Sequence, residues 1–240
     1  MSQRGTKINW LKIGNYYSAA LLPPKIYNLH FKFILQRKFL CTWQLEEHQD
    51  VGCRLGCGCK RETVDHWGSC PVLTETRRKL AEITGEPRFT TPTTFLIGET
   101  LAGTLDTGAA NLWLVLWHTL MLAMINKTAD NKNIDLDNVW NLSIRKFADL
   151  AMSAAYKAET RRLHCLAKGM KTPEDYPSAD RILAPLATMS SDAHIRWSTK
   201  FRAELRRLDM PGYLVHDKAQ TQKGLDKIEF VRAQLPQKEN

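Results

Sequence analysis

Residues 52–73 read GCRLGCGCKRETVDHWGSCPVL, and the organisation of the chain turns on this stretch. Four of the protein's six cysteines lie here within 18 residues, together with His66. A tetrahedral zinc site needs four soft or borderline ligands, at about 2.3 Å for sulfur and about 2.0–2.1 Å for nitrogen. Cys53 and Cys57 are separated by three residues in a glycine-rich turn, which is tight enough for both thiols to converge on one ion. His66 and Cys70 are four positions apart, so on one helical turn they face the same way. The eight residues between the pairs form a loop long enough to bring them together. The pattern C-x3-C-x8-H-x3-C predicts a structural zinc held by Cys53, Cys57, His66 and Cys70. Cys59 is the alternate first ligand, since a Cys57–Cys59 pair could replace Cys53, although it would strain the turn more. Two bland readings compete. Buried thiols are common in cores without a metal, and a redox dithiol would need the usual C-x-x-C in a strand–helix setting, which is missing.

The neighbours of these residues suit a closed site. Glu62 is placed to orient His66, and Thr63 to bond a ligand sulfur or to cap the turn. Glu62 or Asp65 could serve as a base only if zinc kept an open position for water, which four protein ligands do not leave.

Working outward, the chain reads as mainly α: an irregular helical protein with a small zinc-stabilised module. Lys25–Trp43 fits both strand alternation and helical spacing, with its basic insertions favouring helix. Pro71 suits a first helical position, and Val72–Thr84 predicts a short helix stopped by Gly85. Residues 86–108 read as a connecting loop with one short apolar piece, Phe95–Ile97. Ala109–Ile125 carries three polar residues in seventeen; its short length, Asn111 and the central His118 favour a buried core helix over a membrane span. Among these residues His118, Trp113 and Trp117 read as core.

Asp135 or Asp137 caps a long helix ended by Gly169, with Trp140, Ile144, Phe147, Ala151, Ala154 and Ala158 on one stripe. Its other face carries Arg145, Lys146, Lys157, Arg161, Arg162 and Lys168. The adjacent His164 and Cys165 point about 100° apart on a helix, so they are no nucleophile pair. Ser191 or Asp192 caps a last helix whose stripe is Trp197, Phe201, Leu205 and Leu208. The expected divisions are a zinc module at 25–85, a helical region at 105–210, and poorly ordered ends at 1–24 and 213–240.

Cys57-Gly58, Glu62-Thr63, His66 and Cys70-Pro71, with Cys53 upstream, resemble the zinc-binding region that follows the polymerase in non-LTR retrotransposon reverse transcriptases. Phe31–Trp43 and Leu112–Met124 are similar to the apolar helix before that region and the Trp-rich helix after it. The x3 spacing between Cys53 and Cys57 departs from the commoner x2. The resemblance implies a stand-alone C-terminal piece of a reverse transcriptase. The chain lacks a paired-aspartate polymerase signature and an acidic–His endonuclease constellation, so a non-enzymatic role is expected.

The 34 Lys and Arg against 25 Asp and Glu give a net charge of +9, spread on both sides of the middle of the chain. Such a surplus favours phosphate-rich partners. RNA or DNA is therefore the expected partner, with Lys60, Arg61, Arg77, Arg161 and Arg162 as candidate contacts. No small-molecule substrate and no membrane association are expected. The rival reading is a zinc-organised structural or protein-interaction module. Met1–Gly14 has no apolar run with a small-residue cleavage site, so the cysteines are expected in a reducing, intracellular setting, nucleus or cytoplasm.

Overall fold

The computed structural model describes residues 52–60, 63–98, 107–130, 134–169, 183–189 and 195–214, with single positions at 23, 25, 26, 28, 226, 229, 230 and 233. Most of Lys25–Trp43 and of both chain ends, and the Ser191 and Asp192 cap, lie outside the described residues. The protein is mainly α, with 75% of the described residues helical. It forms two compact units: residues up to Leu105 with Trp113–Trp140, and Asp106–Leu112 with Asn141 onward. The long helix at 107–130 thus belongs chiefly to the first unit, where the sequence placed it with the later helical region.

In the first unit, α1 (Val64–Ser69) runs through Cys70 into a 3-10 turn, Pro71–Leu73, and then α2 (Thr74–Thr84). Gly85, at φ +71°, ends α2 in the left-handed region, as expected of glycine after a last helical turn. The segment expected as a loop is largely helical: a 3-10 turn at Pro87–Thr90 and α3 at Pro92–Ile97, closed by Gly98. Each piece opens on a proline, whose fixed φ suits a first turn, so residues that signal loops here start helices.

Helix α4 (Thr107–Asp130) supplies the centre of this core. The indole N–H groups of Trp113 and Trp117 both donate to the Phe95 carbonyl, at 2.7 and 2.8 Å, satisfying a carbonyl left open at the end of α3. Around them Trp117 meets Phe95 with ring centroids 5.1 Å apart, and Trp113 meets Phe89 at 6.4 Å. Trp113, Trp117 and His118 are buried, as read from the sequence. Thr107–Ile125 is long and apolar enough to cross a membrane, and 83% of it is buried inside the protein.

Helix α5 (Leu136–Ala167) begins at Asp135, whose carboxylate accepts from the Asn138 amide at 3.0 Å, and ends before Gly169. In the second unit its stripe of Ile144, Phe147, Ala151, Met152 and Tyr156 is buried. Phe147 packs edge-on against Phe201 of α6 (Thr199–Arg207), which is followed by a single turn, α7 (Pro211–Leu214). A two-stranded antiparallel ladder, β1 (Ala187–Met189) with β2 (Ile195–Trp197), precedes α6 in register Ala187↔Trp197.

The last helix is therefore shorter than expected. Trp197 lies on β2 and Ser198 is the N-cap, its hydroxyl accepting from the Phe201 amide. Ile195 and Trp197 are buried while Arg196 is exposed, a period-two signal that the helical spacing to Phe201 overrode in the sequence. Phe201, Leu205 and Leu208 are buried as expected.

Candidate metal centre

The first half of the centre is a knuckle built on backbone geometry. Gly56 and Gly58 sit at φ +78° and +81°, conformations that cost a residue with a Cβ, so these two positions call for glycine. The Cys53 amide donates to the Cys59 carbonyl at 2.8 Å, and the Gly56 amide to the Cys53 carbonyl at 2.9 Å. These bonds close the turn and set the Cys53 and Cys57 side chains on one side of it.

The second half is carried by α1. Thr63 is its N-cap, and its hydroxyl accepts from the His66 amide at 3.0 Å. The short helix is anchored from below. Trp67 is fully buried against Trp117, with ring centroids 6.3 Å apart. Gly68 lets α1 approach α3 so closely that a Cβ there would stand 2.9 Å from the Pro92 carbonyl oxygen.

These two halves bring Cys53, Cys57, His66 and Cys70 together, with their ligand atoms all within 4.8 Å of one another. The Cys53 and Cys70 sulfurs are 3.9 Å apart, and Cys57 Sγ lies 3.3 Å from His66 Nε2. Tetrahedral ligation at the usual bond lengths would place two sulfurs about 3.8 Å apart and a sulfur and a nitrogen about 3.6 Å apart. The spacing fits a metal ion, and it is far too long for a disulfide between Cys53 and Cys70. Cys53 and Cys70 are buried, whereas Cys57 and His66 are half-buried. With all four positions taken by protein, such a site has no vacancy for a reactive water.

Cys59 stands outside this group and serves it through its backbone. Its carbonyl closes the turn, and its amide donates to Cys57 Sγ at 3.4 Å. Burial pushes the Cys53 thiol up to about 12 and raises that of Cys70 as well. At Cys57 burial pulls upward too, but the Cys59 amide and the neighbouring thiols outweigh it and hold the thiol below its ordinary value. Of the three clustered sulfurs, Cys57 is thus the best prepared to ionise.

The candidate nucleic-acid contacts fare unevenly. Lys60 is exposed beside the knuckle, and Arg161 is exposed on α5. Arg61 and Glu62 lie outside the described residues. Arg162 is half-buried with its guanidinium paired to Glu159, at 2.5 and 2.8 Å. Arg77 is the clear correction: it is 7% exposed and turns inward, donating to the Gly68 carbonyl and to the Thr74 hydroxyl. One helical position separates Arg77 from the solvent-facing Arg78, which bridges Glu75 and Glu82. The sequence signalled a basic pair; the hundred-degree step between neighbours sent only one of them outward.

No protein-family model, curated protein or solved structure matches the chain. The site itself defines the class: a mainly helical protein with a four-residue cysteine–histidine cluster able to hold a metal ion.

Proposed function

We propose that the chain is a non-catalytic, zinc-organised module. The observation that carries this reading is the convergence of three sulfurs and one imidazole nitrogen at near-tetrahedral spacing. Three thiolates and an imidazole suit zinc, and a closed four-ligand shell suits a structural ion. The ion would join the knuckle to α1, and Trp67 and Gly68 would join α1 to the aromatic core. Metal analysis of protein purified without added zinc tests the reading. One zinc per chain is expected, and a stoichiometry of zero ends it.

On this scaffold the partner class that the charge favours is nucleic acid. The net charge of +9, with Lys60, Arg161 and other basic side chains exposed, supports contact with phosphates. The descent from a retroelement reverse transcriptase rests on the Cys57-Gly58, Glu62-Thr63, His66 and Cys70-Pro71 motif. Retention on RNA or DNA that weakens steeply with salt is the expected behaviour, in an intracellular setting. No retention at low salt leaves the zinc module as a structural or protein-interaction unit.

A further inference from the structure

Arg77 is a buried cation without a carboxylate partner among the described residues. It is 7% exposed, and its acceptors are two neutral oxygens, the Gly68 carbonyl and the Thr74 hydroxyl at 3.0 Å. Its Nε is buried and has no hydrogen-bond partner among the described residues. Four arginines behave differently: Arg78, Arg88, Arg162 and Arg207 each meet a glutamate. A buried charge without a counter-charge is expensive, and proteins rarely keep one unless something compensates it. Among the described residues, Cys70 is the group whose field reaches Arg77, and the Gly68 carbonyl that Arg77 grips lies midway along the chain between His66 and Cys70.

The chemistry of a filled centre would supply a counter-charge. A divalent ion with three thiolates and a neutral imidazole carries one net negative charge. One guanidinium close by brings the sum to zero. We propose that Arg77 is the buried counter-charge of the metal centre, a positioning residue that neutralises the thiolate-bound ion and holds the chain segment between His66 and Cys70 through the Gly68 carbonyl. This rests on the zinc reading given above and assigns a residue to it. It also explains why an arginine within a basic pair is turned away from solvent. With metal bound, the charge of the thiolate-ligated ion and that of Arg77 would stabilise each other.

The test compares Arg77→Met, which removes the charge at similar length, with Arg77→Lys, which keeps the charge and loses the planar fork. Zinc affinity is read by competition with a chromophoric chelator, and the full chain is used throughout. Outer-shell partners of metal ligands commonly affect affinity by about 10- to 100-fold, so a loss of that size is expected for Arg77→Met. Its cobalt-substituted form should keep the parent's thiolate charge-transfer bands, because the ligands are unchanged. Arg77→Lys should stay within about threefold of the parent, since an ammonium supplies the same charge.

Parent-like affinity in Arg77→Met overturns the proposal. Equal losses in both variants overturn it too, because they would make Arg77 a hydrogen-bonding prop rather than a counter-charge. If Arg77→Met does not fold with zinc present, Arg77→Lys decides alone: parent-like affinity supports the charge role, and a tenfold loss removes it. A parent chain that binds no zinc sinks the metal reading itself and this one with it. Failure of the Arg77 variants in a zinc-binding parent sinks only the present inference.

Discussion

Serine at Cys70 and serine at Cys59 should have opposite consequences. Cys70 is fully buried with its sulfur 3.9 Å from Cys53, so Cys70→Ser should release zinc. Cys59 contributes its carbonyl and amide to the knuckle, which a serine retains, so Cys59→Ser should keep one zinc per chain. Zinc loss from Cys59→Ser but not from Cys53→Ser would reverse the assignment of the first ligand. The same residues predict the pH dependence. With Cys53 pushed up to about 12 and Cys70 also raised, both keep their protons near neutrality in the metal-free protein. Each must lose its proton to bind metal, so affinity should climb with pH, by about 100-fold per pH unit if two protons leave. Competition titrations at several pH values near neutrality read this slope, and a flat profile would rule out thiolate ligation by this pair. For the metal-free fold the sign is opposite. The raised Cys53 value favours folding below its ordinary 9.0, and that contribution is lost as pH rises toward about 12. How much of the site the sequence disclosed follows from the same side chains. Ligand spacing is a one-dimensional signal, and it marked all four clustered residues. The inward turn of Arg77 depends on where Gly68 and Thr74 stand in space, and no spacing rule reports that.

Helix α4 and the short α3 show how elements hold the centre in place. Trp117 joins them, donating to the Phe95 carbonyl while its ring lies tilted against Trp67, the neighbour of the clustered His66. Trp117→Ala should cost about 3–5 kcal/mol of stability, as large aromatic truncations do, and should weaken zinc binding through loss of the α1 anchor. Thermal unfolding with and without a chelator measures both effects; unchanged zinc affinity in a destabilised variant would show that α1 needs no such anchor. Gly68→Ala probes the same contact from the other side. A Cβ 2.9 Å from the Pro92 oxygen forces α1 and α3 apart, an overpacking cost of about 1–3 kcal/mol. The Thr107–Ile125 stretch is expected to remain a core helix: the protein should stay extractable by alkaline carbonate, and resistance would mean that the run spans a bilayer. Among the elements, long periodic helices were readable in the sequence because each carries its own burial pattern. The turns at Pro87 and Pro92 were not, because proline opens helices and loops alike.

For the molecule as a whole, the surplus of positive charge sets the remaining prediction. Each phosphate contact contributes about 0.9 to the salt slope on duplex DNA and about 0.7 on single strands. Arg161 is exposed on α5, so Arg161→Glu should flatten the slope by up to about one unit and leave the fold intact. Arg162 is a poorer probe, since its reversal would set a second carboxylate against Glu159, which is itself buried. Salt titrations of nucleic-acid retention compare the two. An unchanged slope in Arg161→Glu would move the binding surface toward Lys60 or remove it.

What the sequence determined by itself was periodic or local: the mainly helical class, the buried apolar run of α4, the buried stripe of α5, the glycine stops and the spacing of the clustered residues around the knuckle. Each is written in residues a few positions apart, where backbone geometry alone relates position to direction. Tertiary structure decided which basic residues face water, that Trp197 belongs to a strand, and that α4 joins the unit carrying the cysteine–histidine cluster through Trp113 and Trp117. Those outcomes depend on partners far along the chain, such as Phe95 for the two indoles and Gly68 for Arg77, and burial against such partners outweighs local preference.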